Sequence, residues 1–154
     1  MFREMRRKDR KLKLSEVSEI LTKGEYGILA TIGENGYPYG VPVNYAYFDN
    51  TIGFHCATEG HKLENLKHES KVSFTVVGDT CPLPESFSTN YESVIVFGKA
   101  KEASEDEKDD ILLEIIKKYS PTFLDNGKEY INKSSIHSRV FKINIEHVTG
   151  KGRK

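Results

Sequence analysis

Residues 51–66 gather four side chains that can do chemistry near neutral pH: His55, Cys56, His61 and Lys62. The run reads as a strand, a small polar turn and a short helix opening on Gly60, His61 and Lys62. A helix start presents free amide N–H groups and the positive end of the helix dipole, which together attract anions. Lys62 adds a full charge, so a phosphate-bearing ligand is the guest this pattern suits. On the strand, Ile52, Phe54 and Cys56 fall on one face, and Gly53, His55 and Ala57 fall on the other. An imidazole between two small residues leaves room for something large to lie flat against the strand. The same residues also suit a surface histidine beside a tight turn. A metal held by His55, Cys56 and His61 is not expected, because Cys56 and His55 point to opposite faces of a strand.

A second constellation precedes it. In residues 37–48, Tyr39, Val41, Val43, Tyr45 and Tyr47 alternate with Gly40, Pro42 and Asn44. Proline cannot donate to a ladder and belongs on an edge, at a bulge or at a strand end. Gly40 beside Pro42 therefore describes a bare backbone face that can receive a flat ligand through main-chain contacts. An ordinary irregular edge strand would read the same way.

The elements that must position these residues follow from periodicity and turn chemistry. A helix is expected over 15–23, capped by Ser15 and ended by Gly24 in the left-handed conformation. A strand over 26–32 and the strand over 37–48 flank Glu34-Asn35-Gly36, and Asn-Gly between β-patterned runs signals a hairpin. Asp49-Asn50 turns the chain into the strand at 51–57. Val72, Phe74 and Val76 alternate in a strand ending at Gly78-Asp79, and 80–90 reads as a loop. Residues 91–101 are apolar on both faces through Val94, Ile95, Val96 and Phe97, as in a strand covered on both sides. Ser104 and Glu107 form a capping box for a helix whose apolar face is Ile111, Leu112, Ile115, Ile116 and Tyr119; Pro121 ends it. Phe141, Ile143, Ile145 and His147 mark a last strand. Successive strands without crossover helices exclude a parallel doubly wound sheet. The expected fold is mainly β, a small antiparallel barrel with short capping helices, formed as one domain over 1–154.

Bulk properties narrow the partners. Lys+Arg and Asp+Glu balance at 23 each, so no global field favours nucleic acid. The basic arm in 1–13 and the basic tail at 150–154 are expected to be solvated ends. No apolar run approaches a membrane span, and Met1-Phe2-Arg3 lacks a signal-peptide core. Two cysteines, Cys56 and Cys81, provide no disulfide framework and fit a reducing cytoplasm. Apolar residues on both faces of 94–97, with the tyrosines of 37–47, exceed what one small barrel covers; a homodimer is expected.

Taken in order, Gly36-Tyr37-Pro38-Tyr39-Gly40-Val41-Pro42-Val43-Asn44-Tyr45, Phe54-His55-Cys56-Ala57, Gly60-His61-Lys62, Asn65-Leu66 and Ile145-Glu146-His147-Val148-Thr149-Gly150-Lys151 resemble the pyridoxamine 5'-phosphate oxidase-like flavoproteins. Their nearest match is the branch related to the Nim nitroimidazole-resistance proteins. The resemblance implies a split β-barrel and a homodimer with FMN in two clefts at the subunit interface. It implies that Val41, Pro42, Val43 and Asn44 lie along the isoalloxazine ring and that His55, Cys56 and Ala57 border it. Gly60, His61 and Lys62 would hold the phosphate, with Asn65 one turn further along the helix. It implies an FMN-dependent oxidoreductase reducing nitroaromatic or nitroimidazole-type molecules, with His55 as the side chain associated with activity. No second basic constellation suits the phosphate of pyridoxamine 5'-phosphate, so the substrate differs from that of a vitamin B6 oxidase. The alternative is a non-catalytic flavin carrier, or a split barrel holding haem through His55, His61 or His147.

Overall fold

Two-residue alternation of apolar and polar side chains organises most of the chain into strands. The computed structural model describes residues 1–134 and 137–154. The elements are α1 (Leu14–Lys23), β1 (Gly27–Ile32), β2 (Pro38–Val43), β3 (Ala46–Phe48), β4 (Thr51–Cys56), α2 (His61–His68), β5 (Lys71–Leu83), β6 (Ser88–Glu102), α3 (Glu105–Tyr119), α4 (Leu124–Ser134) and β7 (Arg139–Arg153). The strands form one antiparallel sheet in the order β2-β1-β5-β6-β7-β4-β3. Its two edges, β2 and β3, are consecutive in the chain and separated only by Asn44 and Tyr45. The sheet must therefore curl until its edges meet, which makes it the expected split barrel.

The single strand expected over 37–48 is thus two strands, and Tyr45 supplies the reason. Its N–H donates to the Tyr119 hydroxyl at 3.1 Å instead of to a ladder. Its own hydroxyl, fully buried, donates to the Leu21 carbonyl at 2.5 Å. The chain leaves the β1 ladder at Val43 and joins β4 at Ala46.

Both expected hairpin turns form. Gly36 has φ +79°, and Asp49 and Asn50 both lie at positive φ, as a tight hairpin turn requires. The loop expected over 80–90 is instead a two-stranded ribbon. After an irregularity between Val77 and Thr80 the β5–β6 pairing resumes, from Thr80 opposite Tyr91 to Leu83 opposite Ser88. Pro82 is tolerated there because β5 has no further neighbour at that level to receive an N–H bond.

The ends also differ from expectation. The basic arm is held on the barrel: Lys11 bridges Lys151, and the Leu12 N–H donates to the Gly150 carbonyl at 3.0 Å. Lys151 to Arg153 belong to β7, with Tyr91 opposite Arg153, so the tail is part of the sheet. Backbone pairing between residues far apart in sequence decides this, and no local pattern announces it.

α1 starts one residue earlier than expected, with the Glu16 carboxylate accepting the Lys13 N–H at 2.9 Å in place of a Ser15 cap. Gly24 ends it at φ −56°, not in the left-handed region. Glycine is required there by close packing, since a Cβ would lie 2.5 Å from both the Tyr45 hydroxyl and Val76 Cγ1. The Ser104 capping box of α3 forms as expected, with the Ser104 hydroxyl accepting the Glu107 N–H. α4 has no counterpart among the expected elements.

The barrel interior is filled by Leu29, Ile52, Phe54, Phe74, Val76, Val94, Val96 and Ile143, joined by Val17, Ile20 and Leu21 of α1 and Leu63 and Leu66 of α2. A second, smaller cluster of Ala46, Ile111, Ile115 and Val140 lies where α3 packs on the outside of the sheet. No helix among the described residues is long and apolar enough to cross a membrane.

Candidate functional site

The start of α2 is built around Gly60, whose φ of +142° favours glycine and whose missing Cβ would point into open space. Its carbonyl accepts the N–H groups of Leu63 and Glu64 at 3.0 and 3.2 Å. The amides of His61 and Lys62 precede Leu63, the first intrahelical donor, and so remain available to an anion. Lys62 is half-buried and His61 exposed.

The exposed face of β2 meets this corner. Pro38, Gly40 and Pro42, followed by Asn44, are exposed, whereas Val41 and Val43 turn inward and pack against the core. Tyr39 stacks its ring on that of His61, with centroids 4.0 Å apart and planes inclined by 26°. The stack ties the start of α2 to β2 through the strand face that Tyr39 shares with Val41 and Val43, opposite the bare face of Pro38, Gly40 and Pro42. Tyr39 is the positioning residue that sequence reading missed; the alternation placed it only on one face with Val41, Val43, Tyr45 and Tyr47.

His55 sits on β4 opposite Val140 of β7. Partial burial lowers its pKa below the usual histidine value, and the nearby charge of Lys62 lowers it further. The imidazole therefore lies within the field of Lys62 at the start of α2. Its face of the strand is less open than the small neighbours suggested: a Cβ on Gly53 would lie 2.6 Å from Ile111 Cγ2, so α3 occupies that space. Ala57 remains exposed.

Besides Val41 and Val43, which offer only their backbone, two more residues expected to border or hold a ligand have side chains turned inward. Cys56 follows the strand alternation into the core, where burial pushes its thiol pKa up; only its backbone lies beside His55. Asn65 is buried, and its amide donates to the Thr31 hydroxyl at 3.0 Å. It ties α2 to β1 and positions the helix start instead of presenting a group to a ligand. His147 lies elsewhere, its ring parallel to that of Phe2 at 4.7 Å and close to Phe97, which makes it a poor axial ligand.

A third cluster supports the strand break. The Lys118 ammonium lies 3.7 Å from the centroid of the Tyr45 ring and has no hydrogen-bond partner. Burial lowers its pKa to about 8. The Tyr119 hydroxyl, which accepts from the Tyr45 N–H, donates to the Glu25 carbonyl. Among the described residues no group of three or more His, Cys, Asp or Glu side chains could hold a metal ion.

The fold has many known counterparts. A protein of Bacteroides thetaiotaomicron provisionally assigned to 5-nitroimidazole antibiotic resistance superposes with a TM-score of 0.75 at 22% identity, covering 92% of this chain and 86% of that one. A conserved hypothetical protein of Mycobacterium tuberculosis gives 0.83 at 19% identity, covering 97% and 90%. An FAD- and haem-binding protein of Mycobacterium smegmatis gives 0.82 at 14% identity, covering 94% and 74%. No curated protein matches the chain by sequence. The sequence profile of pyridoxamine 5'-phosphate oxidase, however, matches residues 13–152. With nearly the whole barrel inside that match, the chain belongs to the pyridoxamine 5'-phosphate oxidase family of flavin-binding split barrels.

Proposed function

We propose that the chain is an FMN-dependent oxidoreductase that acts as a homodimer on small flat acceptors. The observation that carries this is the Tyr39–His61 stack, which fixes the start of α2, with its free amides and Lys62, against β2, whose other face is free of large side chains. The residues present fit the cofactor. Gly60 leaves open space beside the amides of His61 and Lys62, where a phosphate can approach the backbone. Gly40, Pro42 and Asn44 offer a flat surface along the strand.

Bound FMN would supply the electrons for reducing an acceptor such as a nitroaromatic or nitroimidazole-type molecule. The chain's own residues do the rest. Lys62 and the helix amides would hold the phosphate, and the strand from Val41 to Asn44 would carry the ring through main-chain contacts. His55 offers a ring N–H to orient the acceptor, with its pKa lowered by partial burial and by the charge of Lys62.

A second copy is argued from the sheet. Val77 is 58% exposed, and Ile95 and Phe97 of β6 are more than a third exposed on the face opposite the core. A two-fold partner would cover this face and wall in the cofactor surface, which one chain leaves open. Sedimentation at micromolar concentration should give a dimer; a monomer only would sink the shared-cleft reading.

The test of the cofactor is direct. The purified protein should be yellow and release FMN on denaturation; a Soret band would replace this reading with haem binding. Lys62→Ala removes a charge-assisted contact of about 1.5–3 kcal/mol, a loss of roughly tenfold or more in FMN affinity. Unchanged affinity in a flavin-fluorescence titration would remove Lys62 from the phosphate site.

A further inference from the structure

The balanced charge of the chain hides a segregated one. Residues 1–13 and 150–154 carry ten of the 23 lysines and arginines against only Glu4 and Asp9, a net charge of +8 in a chain that sums to zero. A second basic constellation, beyond that at α2, therefore forms only on folding, because its two halves lie at opposite ends of the sequence. They meet on β6 and β7. Lys11 lies opposite Lys151, Lys151 opposite Ser93, and Arg153 opposite Tyr91. The period of two puts Lys11, Lys151, Arg153 and Tyr91 on one face of the sheet. The Arg10 guanidinium donates to the Tyr91 hydroxyl at 3.5 Å, and the Lys151 ammonium lies 5.8 Å from the centre of that ring. The Arg10 contact, and after it Lys151, hold the hydroxyl below the usual tyrosine pKa.

Among the described residues no carboxylate pairs with Arg10, Lys11, Lys151 or Arg153. Asp9 is held by two nitrogens of Arg7 at 2.8 and 2.5 Å, Glu4 by Lys8 at 2.9 Å and Glu16 by Lys154 at 3.2 Å. Glu92, next to Tyr91, points to the other face of the strand and accepts the Asp79 N–H at 3.3 Å. Lys11 and Lys151 thus face each other across the ladder as like charges, an arrangement that destabilises a sheet and that a bound anion would relieve. The cations converge on one phenol hydroxyl and do not spread along a stripe, which fits one compact anion. We propose that Arg10, Lys11, Lys151, Arg153 and the Tyr91 hydroxyl form a second phosphate site, which takes the phosphate or diphosphate group of a small phosphorylated molecule. In the sheet β1 and β5 separate β6 from β2 and the α2 corner, so this is not the site assigned to FMN, and its occupancy needs no flavin. The same face of β6 runs on through Ser93 to Ile95, so FMN held by a second copy is the competing source of phosphate.

Inorganic pyrophosphate is the probe, titrated by calorimetry into the full chain and followed in parallel by thermal melts. Binding should saturate at one site per chain. Lys151→Gln and Arg153→Gln should each weaken it about tenfold or more, the value of one charge-assisted contact. Lys11→Gln separates a ligand site from a structural one, because Lys11 is exposed and its charge opposes that of Lys151. In buffer alone this variant should melt no lower than the parent, yet the rise in melting temperature that pyrophosphate gives the parent should shrink. A rise as large as the parent's, or no binding of pyrophosphate to the parent, would overturn the assignment. FMN affinity should be the same in all three variants as in the parent. A matching loss would make the patch the phosphate site for a second copy's FMN and sink the proposal. If no FMN binds at all, that source is excluded and the pyrophosphate result stands alone. A short DNA duplex that displaces pyrophosphate at physiological ionic strength would replace the small-molecule site with a nucleic-acid surface.

Discussion

The Asn65–Thr31 contact separates a residue that holds the site from one that touches its ligand. Both side chains are buried, Thr31 completely and Asn65 to within 4%, and the amide-to-hydroxyl bond is 3.0 Å. Asn65→Leu keeps a similar shape but strands the Thr31 hydroxyl; Thr31→Val strands the Asn65 amide. A buried polar group left without its partner costs about 1–3 kcal/mol, whereas replacing both partners by apolar groups of the same shape is nearly neutral. Each single variant should therefore lose about 1–3 kcal/mol in urea unfolding. The double variant should recover much of that loss, with a coupling energy on the order of 1–2 kcal/mol. FMN titration of the same four proteins gives the functional arm. A positioning role requires affinity to return in the double variant along with stability. Restored stability with affinity still lost would mean that Asn65 contacts the phosphate directly, and strictly additive single losses would mean that the hydrogen bond does not couple α2 to β1.

Three further outcomes follow from the packing. Gly53→Ala should destabilise the protein by about 1–3 kcal/mol in chemical unfolding, because its Cβ meets Ile111 at 2.6 Å, and Ile111→Val should leave that loss unrelieved since valine retains the branch at Cβ. Lys118 titrates near 8 in the folded chain against 10.5 in the unfolded one, so the unfolded state binds more protons in between and stability should rise with pH from about 8 to 10. Lys118→Met should flatten that rise in thermal melts, read between about pH 8 and 10, below the range where the raised pKa values of Tyr45 and Tyr119 act in the opposite sense. Ser104→Ala removes the cap of α3 and should cost about 1 kcal/mol, read as a lowered urea midpoint with an unchanged slope.

Local chemistry made much of this protein legible in its sequence. Asn35-Gly36 and Asp49-Asn50 specify their turns because few other residues tolerate positive φ there. The Ser104–Glu107 box marks its helix, and the period of two at Ile52, Phe54 and Cys56 correctly assigns the core face of β4. The alternation in β2 likewise separates the bare face from the inward-facing valines. What failed depended on partners distant in sequence. Residues 80–90 carry no strand pattern of their own, yet they pair as a ribbon because β5 and β6 run on together beyond the barrel. Residues 37–48 alternate like one strand, but the Tyr119 hydroxyl, 74 residues away, takes the Tyr45 N–H and breaks it in two. Gly53 looked like space for a ligand and is space for α3; Asn65 looked like a ligand contact and is a buried tie to Thr31. The sequence by itself determined the turns, the strand faces and the charged helix start, each governed by backbone conformation and the local order of residues. Only the tertiary structure decided how the barrel closes, that Tyr39 meets His61, and that the basic arm and tail converge on Tyr91, because those depend on which surfaces are left for one another once the strands have paired.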